Sequence, residues 1–167
     1  MASDQERELM VAYSYKGRFV APIRVGLGLP ILDLHYELGG YAPGSLIRPK
    51  QQTIRATGRR RHARPGETLQ LYHAQRSPKC FKIGEARCKD VSAIRVFPHS
   101  DRIVFRPNSD HEVVYSAKTN AKHLDAFAVK DGFDDWAGMR AFWLEEHGQE
   151  IKHLGPFVGV LIQWEPL

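Results

Sequence analysis

Read from its N-terminus, the chain carries short apolar runs and stretches of period-two alternation, both signatures of strands. Leu9 to Tyr15 is short and aromatic-rich and predicts a first strand. Thr68 to Tyr72 alternates after the turn Arg64-Pro65-Gly66-Glu67, where Pro and Gly sit in suitable positions. Cys80 to Val96 predicts one long bent strand, or two, with Gly84 as a candidate bulge. Arg102–Arg106 and Glu112–Ser116 predict a hairpin across Pro107-Asn108-Ser109-Asp110. The period then changes. Phe133, Trp136, Met139, Phe142 and Trp143 recur at helical spacing, with Asp134 and Asp135 in the first turn and Gly148 at the end. A last apolar run, Phe157 to Trp164, predicts a buried closing strand. A short helix is expected around Ile31–Leu38, followed by an irregular excursion rich in Gly and Pro over residues 39–49. Strands dominate and one clear helix comes late, which predicts an α+β fold with a curved or closed sheet and a packed late helix.

Length and composition narrow this picture. At 167 residues the chain is expected to form one domain, over residues 9–167, behind a polar, disordered tail at residues 1–8. Hydrophobic content of 43% and charged content of 26% exclude collagen-like and wholly disordered classes. No apolar run approaches a membrane span, and the polar start does not resemble a secretory signal. Two cysteines, Cys80 and Cys88, fit a reducing compartment, so a cytoplasmic protein without a membrane partner is expected. Their separation does not match zinc-ligand spacing, and on an undistorted strand both would share the core face. No metal or cofactor is expected.

Charge is unevenly placed. Residues 48–64 hold seven basic side chains and no acid, more than the net charge of +5, so the rest of the chain is mildly acidic. Such a band attracts polyanions. Its bland alternative is a solvated loop. Triad and phosphate-loop motifs are missing: there is no Gly-x-Ser-x-Gly, and Gly26-Leu27-Gly28-Leu29 lacks the rest of any nucleotide fingerprint. The aromatic stripe from Phe133 to Trp143 reads as core, not as a base-stacking platform. Within Lys50-Gln51-Gln52-Thr53-Ile54-Arg55, strict alternation would put Lys50 and Thr53 on opposite faces. A bend after Lys50 would instead bring ammonium and hydroxyl together, where a desolvated lysine can serve as base to a hydroxyl nucleophile. Spacing alone leaves both arrangements open.

This same stretch resembles the Lys-x-x-Thr-Ile-Arg signature that opens the ASCH domain, a small β-barrel related to the PUA domain. Further segments are similar in order. Phe19–Ile23 resembles the lead-in to the motif, and Arg61-His62-Ala63-Arg64-Pro65-Gly66-Glu67-Thr68-Leu69 the basic turn into a barrel strand. Ile83–Cys88 resembles a central strand, Asp131-Gly132-Phe133-Asp134-Asp135-Trp136 the helix entry, and Phe157–Trp164 the closing strand. The resemblance spans most of residues 10–164 and implies a PUA-like barrel with an irregular insertion at residues 26–48 ahead of the motif. It implies RNA or a modified nucleoside as partner. Some small family members remove the acetyl group from N(4)-acetylcytidine with a lysine, a threonine and an acid, which by position correspond to Lys50, Thr53 and Asp131. The acid in those hydrolases is glutamate, one methylene longer. The resemblance also leaves a ribonuclease or a non-catalytic RNA-binding module, using Arg55, Arg59, Arg60, Arg61 and Arg64 in the basic band.

Overall fold

In a computed structural model, residues 10–58, 60–149, 151 and 155–167 are described. The expected tail at residues 1–8 and the band residue Arg59 lie outside them. The described chain is mixed α+β, with seven strands in one sheet and four helices. β1 (Met10–Tyr15) forms where its apolar, aromatic-rich run predicts a strand, and turns Val11, Tyr13 and Tyr15 inward. The chain then forms α1 (Val20–Gly26) and α2 (Asp33–Gly39), runs irregularly to β2 (Gln52–Ala56), and continues into β3 (Thr68–His73) and β4 (Phe81–Phe97). The hairpin β5 (Arg102–Phe105) and β6 (Val113–Ser116) follows, then α3 (Ala121–Lys130), α4 (Trp136–His147) and β7 (Phe157–Pro166).

β4, the 17-residue strand, organises the sheet. On one edge it pairs with β7 from Ala86↔Pro166 to Val96↔Phe157, and β7 carries β2 on its far side. On the other edge its first half pairs with β3 and its last turn of ladder with β5. β1 runs parallel to β3 and ends that side. Two irregularities bend β4: Ile83 is skipped where Leu71 and Tyr72 face Gly84 and Lys82, and Lys89 is skipped between Cys88 and Asp90. Each extra residue shifts the alternation and adds twist. Cys80 and Cys88 do not share a face: Cys80 lies exposed ahead of the strand and the Ile83 irregularity falls between the two, whereas Cys88 is buried and its thiol is pushed up to about 11 by burial.

The sheet curls without closing. Three strand spacings in a flat sheet would hold β1 and β7 about 14 Å apart. Yet the Tyr15 and Trp164 rings meet edge-on at 6.3 Å. The closure expected of a barrel is not reached, because no ladder joins β1 to β2 and the two strands border an open seam. The helix expected from Phe133 starts at Trp136, where the Asp135 carboxylate accepts a hydrogen bond from the Gly138 N–H at 2.8 Å. Phe133 is buried all the same, with Trp136, Met139 and Trp143. Burial of side chains this size stabilises by about 1.5–3 kcal/mol each. Helices α1 and α3 were not evident from the whole-chain pattern, although Leu124, Phe127 and Ala128 do form a short apolar stripe on α3. β7 is less uniformly buried than its run of apolar residues predicts, with Val158 52% exposed.

Candidate functional site

Lys50 sits just ahead of β2, not in its ladder. Its N–H donates to the Pro22 carbonyl at 2.9 Å, and the Gln51 N–H donates to the Lys130 carbonyl at 2.9 Å. α1 and the end of α3 therefore pull the chain out of the strand, and this is the bend that the spacing left open. Two glycines make room for it. A Cβ on Gly26 would lie 2.3 Å from the Lys50 carbonyl oxygen. Gly132, at φ +94°, lies where a Cβ would press on the Lys50 side chain at 3.2 Å, in a conformation glycine adopts without strain.

The lysine side chain, 2% exposed, ends against Asp131. Its Nζ donates to the Asp131 carbonyl oxygen at 2.6 Å and to Oδ1 at 3.0 Å, and stands 4.6 Å from the centre of the Phe19 ring. Burial pushes the lysine below its ordinary value and the carboxyl above its own, while their mutual attraction opposes both shifts. Burial is the larger influence on each, so Lys50 loses its proton more readily, and Asp131 gains one more readily, than either would in water.

Thr53, buried in β2, and this pair line one cavity of about 530 Å³ in the seam between β1 and β2. The alternation of β2 sends Thr53 and Arg55 to this side. Arg55 donates from Nη2 to the Ser14 carbonyl at 2.8 Å and stacks over Tyr15 and Tyr13 at 4.7 and 5.3 Å. Tyr15 is buried, and burial raises its pKa. Thr53 and Arg55 are its polar neighbours, but its hydroxyl completes a well-formed hydrogen bond with neither. Among the described residues, the Arg55 Nε and the Trp143 indole N–H are likewise buried without partners. Phe19, Phe142, Trp143 and Phe157 supply apolar wall, and the ion-paired Lys16 and Glu146 also line the cavity. With Lys50 and Asp131 balancing, Arg55 leaves the interior electropositive. No residue of the 26–48 segment lines it.

The basic band is divided. Arg55 points into the cavity, and Arg60 lines its rim with Nη2 on the Ala12 carbonyl at 3.2 Å. Arg61 turns away to a two-oxygen contact with Glu67, each at 2.9 Å. Arg64 is exposed, and its backbone N–H donates to Glu67 at 2.8 Å. Arg55, Arg60, Arg61 and Arg64 thus do not form one continuous groove. Missed in the sequence were Tyr15, Phe19 and Trp143, which lie far from the motif along the chain. The one available signal was the shared face of Tyr13 and Tyr15 on β1. Among the described residues no three His, Cys, Asp or Glu side chains gather as a metal site. No protein-family model, curated protein or solved structure matches the chain.

Proposed function

We propose that the chain is an ASCH-type, PUA-like protein whose seam cavity binds an N(4)-acylated cytidine and hydrolyses its exocyclic amide. One observation carries the reading: a buried lysine–carboxyl pair and a buried threonine, all from the motif positions, line the same cavity. Its volume falls in the range of roughly 300–1,000 Å³ typical of small-molecule sites. An amide on a pyrimidine is a poor electrophile, so cleavage requires an activated nucleophile and support for the oxyanion.

In this reading the Thr53 hydroxyl attacks the acyl carbon as neutral Lys50 takes its proton. Tyr15 and Arg55, with donors left unpaired by the protein, support the negative oxygen. The C–N bond then breaks, and the proton passes from Lys50 to the departing exocyclic nitrogen, releasing cytidine. Water, deprotonated by Lys50, cleaves the acyl-threonine ester to free acid and restores the hydroxyl. Asp131 is a positioning residue that anchors Lys50 within the apolar wall. Its closeness would ordinarily favour the ammonium, and burial of both groups is what supports a usable base.

The test is release of free acid from N(4)-acetylcytidine by the purified chain. Lys50→Ala and Thr53→Ala are each expected to lose about 100- to 10,000-fold in rate, the usual worth of general-base help. Thr53→Ser is expected to retain part of it. Absence of turnover on any acylated cytidine, free or within RNA, would replace this reading with a non-catalytic RNA-binding module using the cavity rim. Turnover untouched by Thr53→Ala would keep hydrolysis and discard the nucleophile.

A further inference from the structure

A second cavity, of about 380 Å³, includes Gln52, the residue beside Thr53 whose side chain takes the opposite face of β2. Its polar floor follows from strand register. Gln52 is the cross-strand partner of Gln163, and Gln163 is the partner of Asp90, so an amide, an amide and a carboxylate form one row across β2, β7 and β4. The row is oriented from one end. The Gln52 amide, 1% exposed, donates from Nε2 to the Phe127 carbonyl of α3 at 3.3 Å. That leaves its Oε1 facing Gln163, whose Nε2 approaches it at a long 3.5 Å. Among the described residues the Gln163 carbonyl oxygen and second N–H meet no partner, which leaves one acceptor beside one donor for a ligand. Phe105, Tyr115 and Phe127 form an aromatic wall, with Phe105 meeting Tyr115 at 4.7 Å and Phe127 at 5.3 Å. Two exposed cations, Arg106 and Lys130, also line the cavity, against a single acid, Asp90, which lies 3.6 Å from Arg106.

We propose that this cavity is a nucleotide subsite, in which one base lies against the aromatic wall with its donor–acceptor edge on Gln163 and its phosphate near Arg106 and Lys130. An amide pairs two-fold with a base edge that carries an adjacent donor and acceptor, as glutamine does with adenine. An apolar ligand would strand the Gln163 amide, at the cost of an unsatisfied polar group. A simple anion would leave the aromatic wall and the amide unused. No group of the seam cavity takes part, so this subsite stands or falls independently of amide hydrolysis.

The test follows the side-chain amide resonances of Gln52 and Gln163 in the whole chain by NMR during titration with AMP, CMP, GMP, UMP and ribose 5-phosphate. At least one nucleoside monophosphate is expected to shift both amides saturably, and ribose 5-phosphate is not. Gln163→Met, similar in volume, is expected to weaken that nucleotide by about tenfold. Thr53→Val is expected to leave its affinity unchanged. The subsite is overturned if no monophosphate moves these resonances, if ribose 5-phosphate moves them equally, if Gln163→Met binds as tightly, or if Thr53→Val abolishes the shifts. The acid-release assay reads the seam cavity separately, so failure of either proposal is recognised without the other.

Discussion

Two inter-strand margins solve the same problem differently: β4 against β7 inside the sheet, and β1 against β2 at its ends. β4 and β7 share a ladder of ten register pairs, so their backbone groups are satisfied by one another. β1 and β2 face each other without a ladder, and the exposed carbonyls of Ala12 and Ser14 are met by the guanidinium groups of Arg60 and Arg55. A ladder fills the space between strands. Side-chain clips keep it open. Among the described residues, six buried side-chain groups have no hydrogen-bond partner: the Tyr15 hydroxyl, Arg55 Nε and Trp143 indole N–H belong to residues lining the cavity, whereas Arg18 Nε, Arg95 Nε of β4 and the Trp164 indole N–H of β7 do not. Each such group costs about 1–3 kcal/mol when left unsatisfied. What separates the two boundaries is the backbone: a ladder joins β4 to β7, whereas side chains alone bridge β1 and β2 and leave a cavity between them.

Substitutions that divide stability from binding test this contrast, and the buried pair has the largest expected effect. Asp131→Ala leaves Lys50 buried without its partner and is expected to cost about 3–5 kcal/mol of unfolding free energy by urea titration. The double variant Lys50→Met/Asp131→Leu is expected to recover most of that, because a packed apolar pair can match a buried ion pair. If the double variant is as unstable as the single one, packing around the site, not the charge, is what fails.

On the closed margin, Ile162→Ala empties a fully buried position in β7 and is expected to cost about 2–5 kcal/mol. Arg55→Met at the seam removes one hydrogen bond to Ser14 and the stacking on Tyr13 and Tyr15, so about 1–2 kcal/mol is expected. Equal losses at the two positions would erase the distinction between the margins.

The pH profile sharpens the account of the seam. Burial lowers the Lys50 pKa, and the Asp131 charge raises it again. Asp131→Asn removes the raising influence alone, so the acid limb of kcat/KM for acid release is expected to move to lower pH. An unmoved limb, or one shifted upward, would assign the base to another group. The smallest effect concerns the rim. Arg60→Ala is expected to reduce the salt dependence of single-stranded RNA binding by a log–log slope of about 0.7, the value for one phosphate contact. Arg61→Ala, already engaged by Glu67, is expected to change it less.

Much of the strand content was legible locally, because burial of one face imposes period two. β1, β3, the β5–β6 hairpin and the turn at Pro65-Gly66 fall where the pattern puts them. The late helix was legible from Trp136 onward, but Asp135, read as a first-turn residue, is its N-cap, and no acid lies in the first turn. The failures have specific causes. α3 is only ten residues long, too short for its stripe to stand out. Cys80 lies outside β4 and the irregularity at Ile83 resets the alternation, so counting from Cys80 could not place Cys88.

The sequence by itself determined which side chains were available to react: a lysine, a threonine and an arginine within six residues, and an acid before the late helix. Tertiary structure alone decided their relation. Lys50 meets Asp131 because the Pro22 and Lys130 carbonyls accept the successive N–H groups of Lys50 and Gln51 and hold Lys50 ahead of the β2 ladder, against the end of α3. Tyr15 meets Trp164 because the sheet curls, and the seam stays open because arginines, not a neighbouring strand, satisfy the β1 carbonyls. Alternation is a local property, set by which face of a strand is buried. Closure is not local: it depends on how twist and bulges accumulate over the whole sheet, and no short stretch of sequence records that sum.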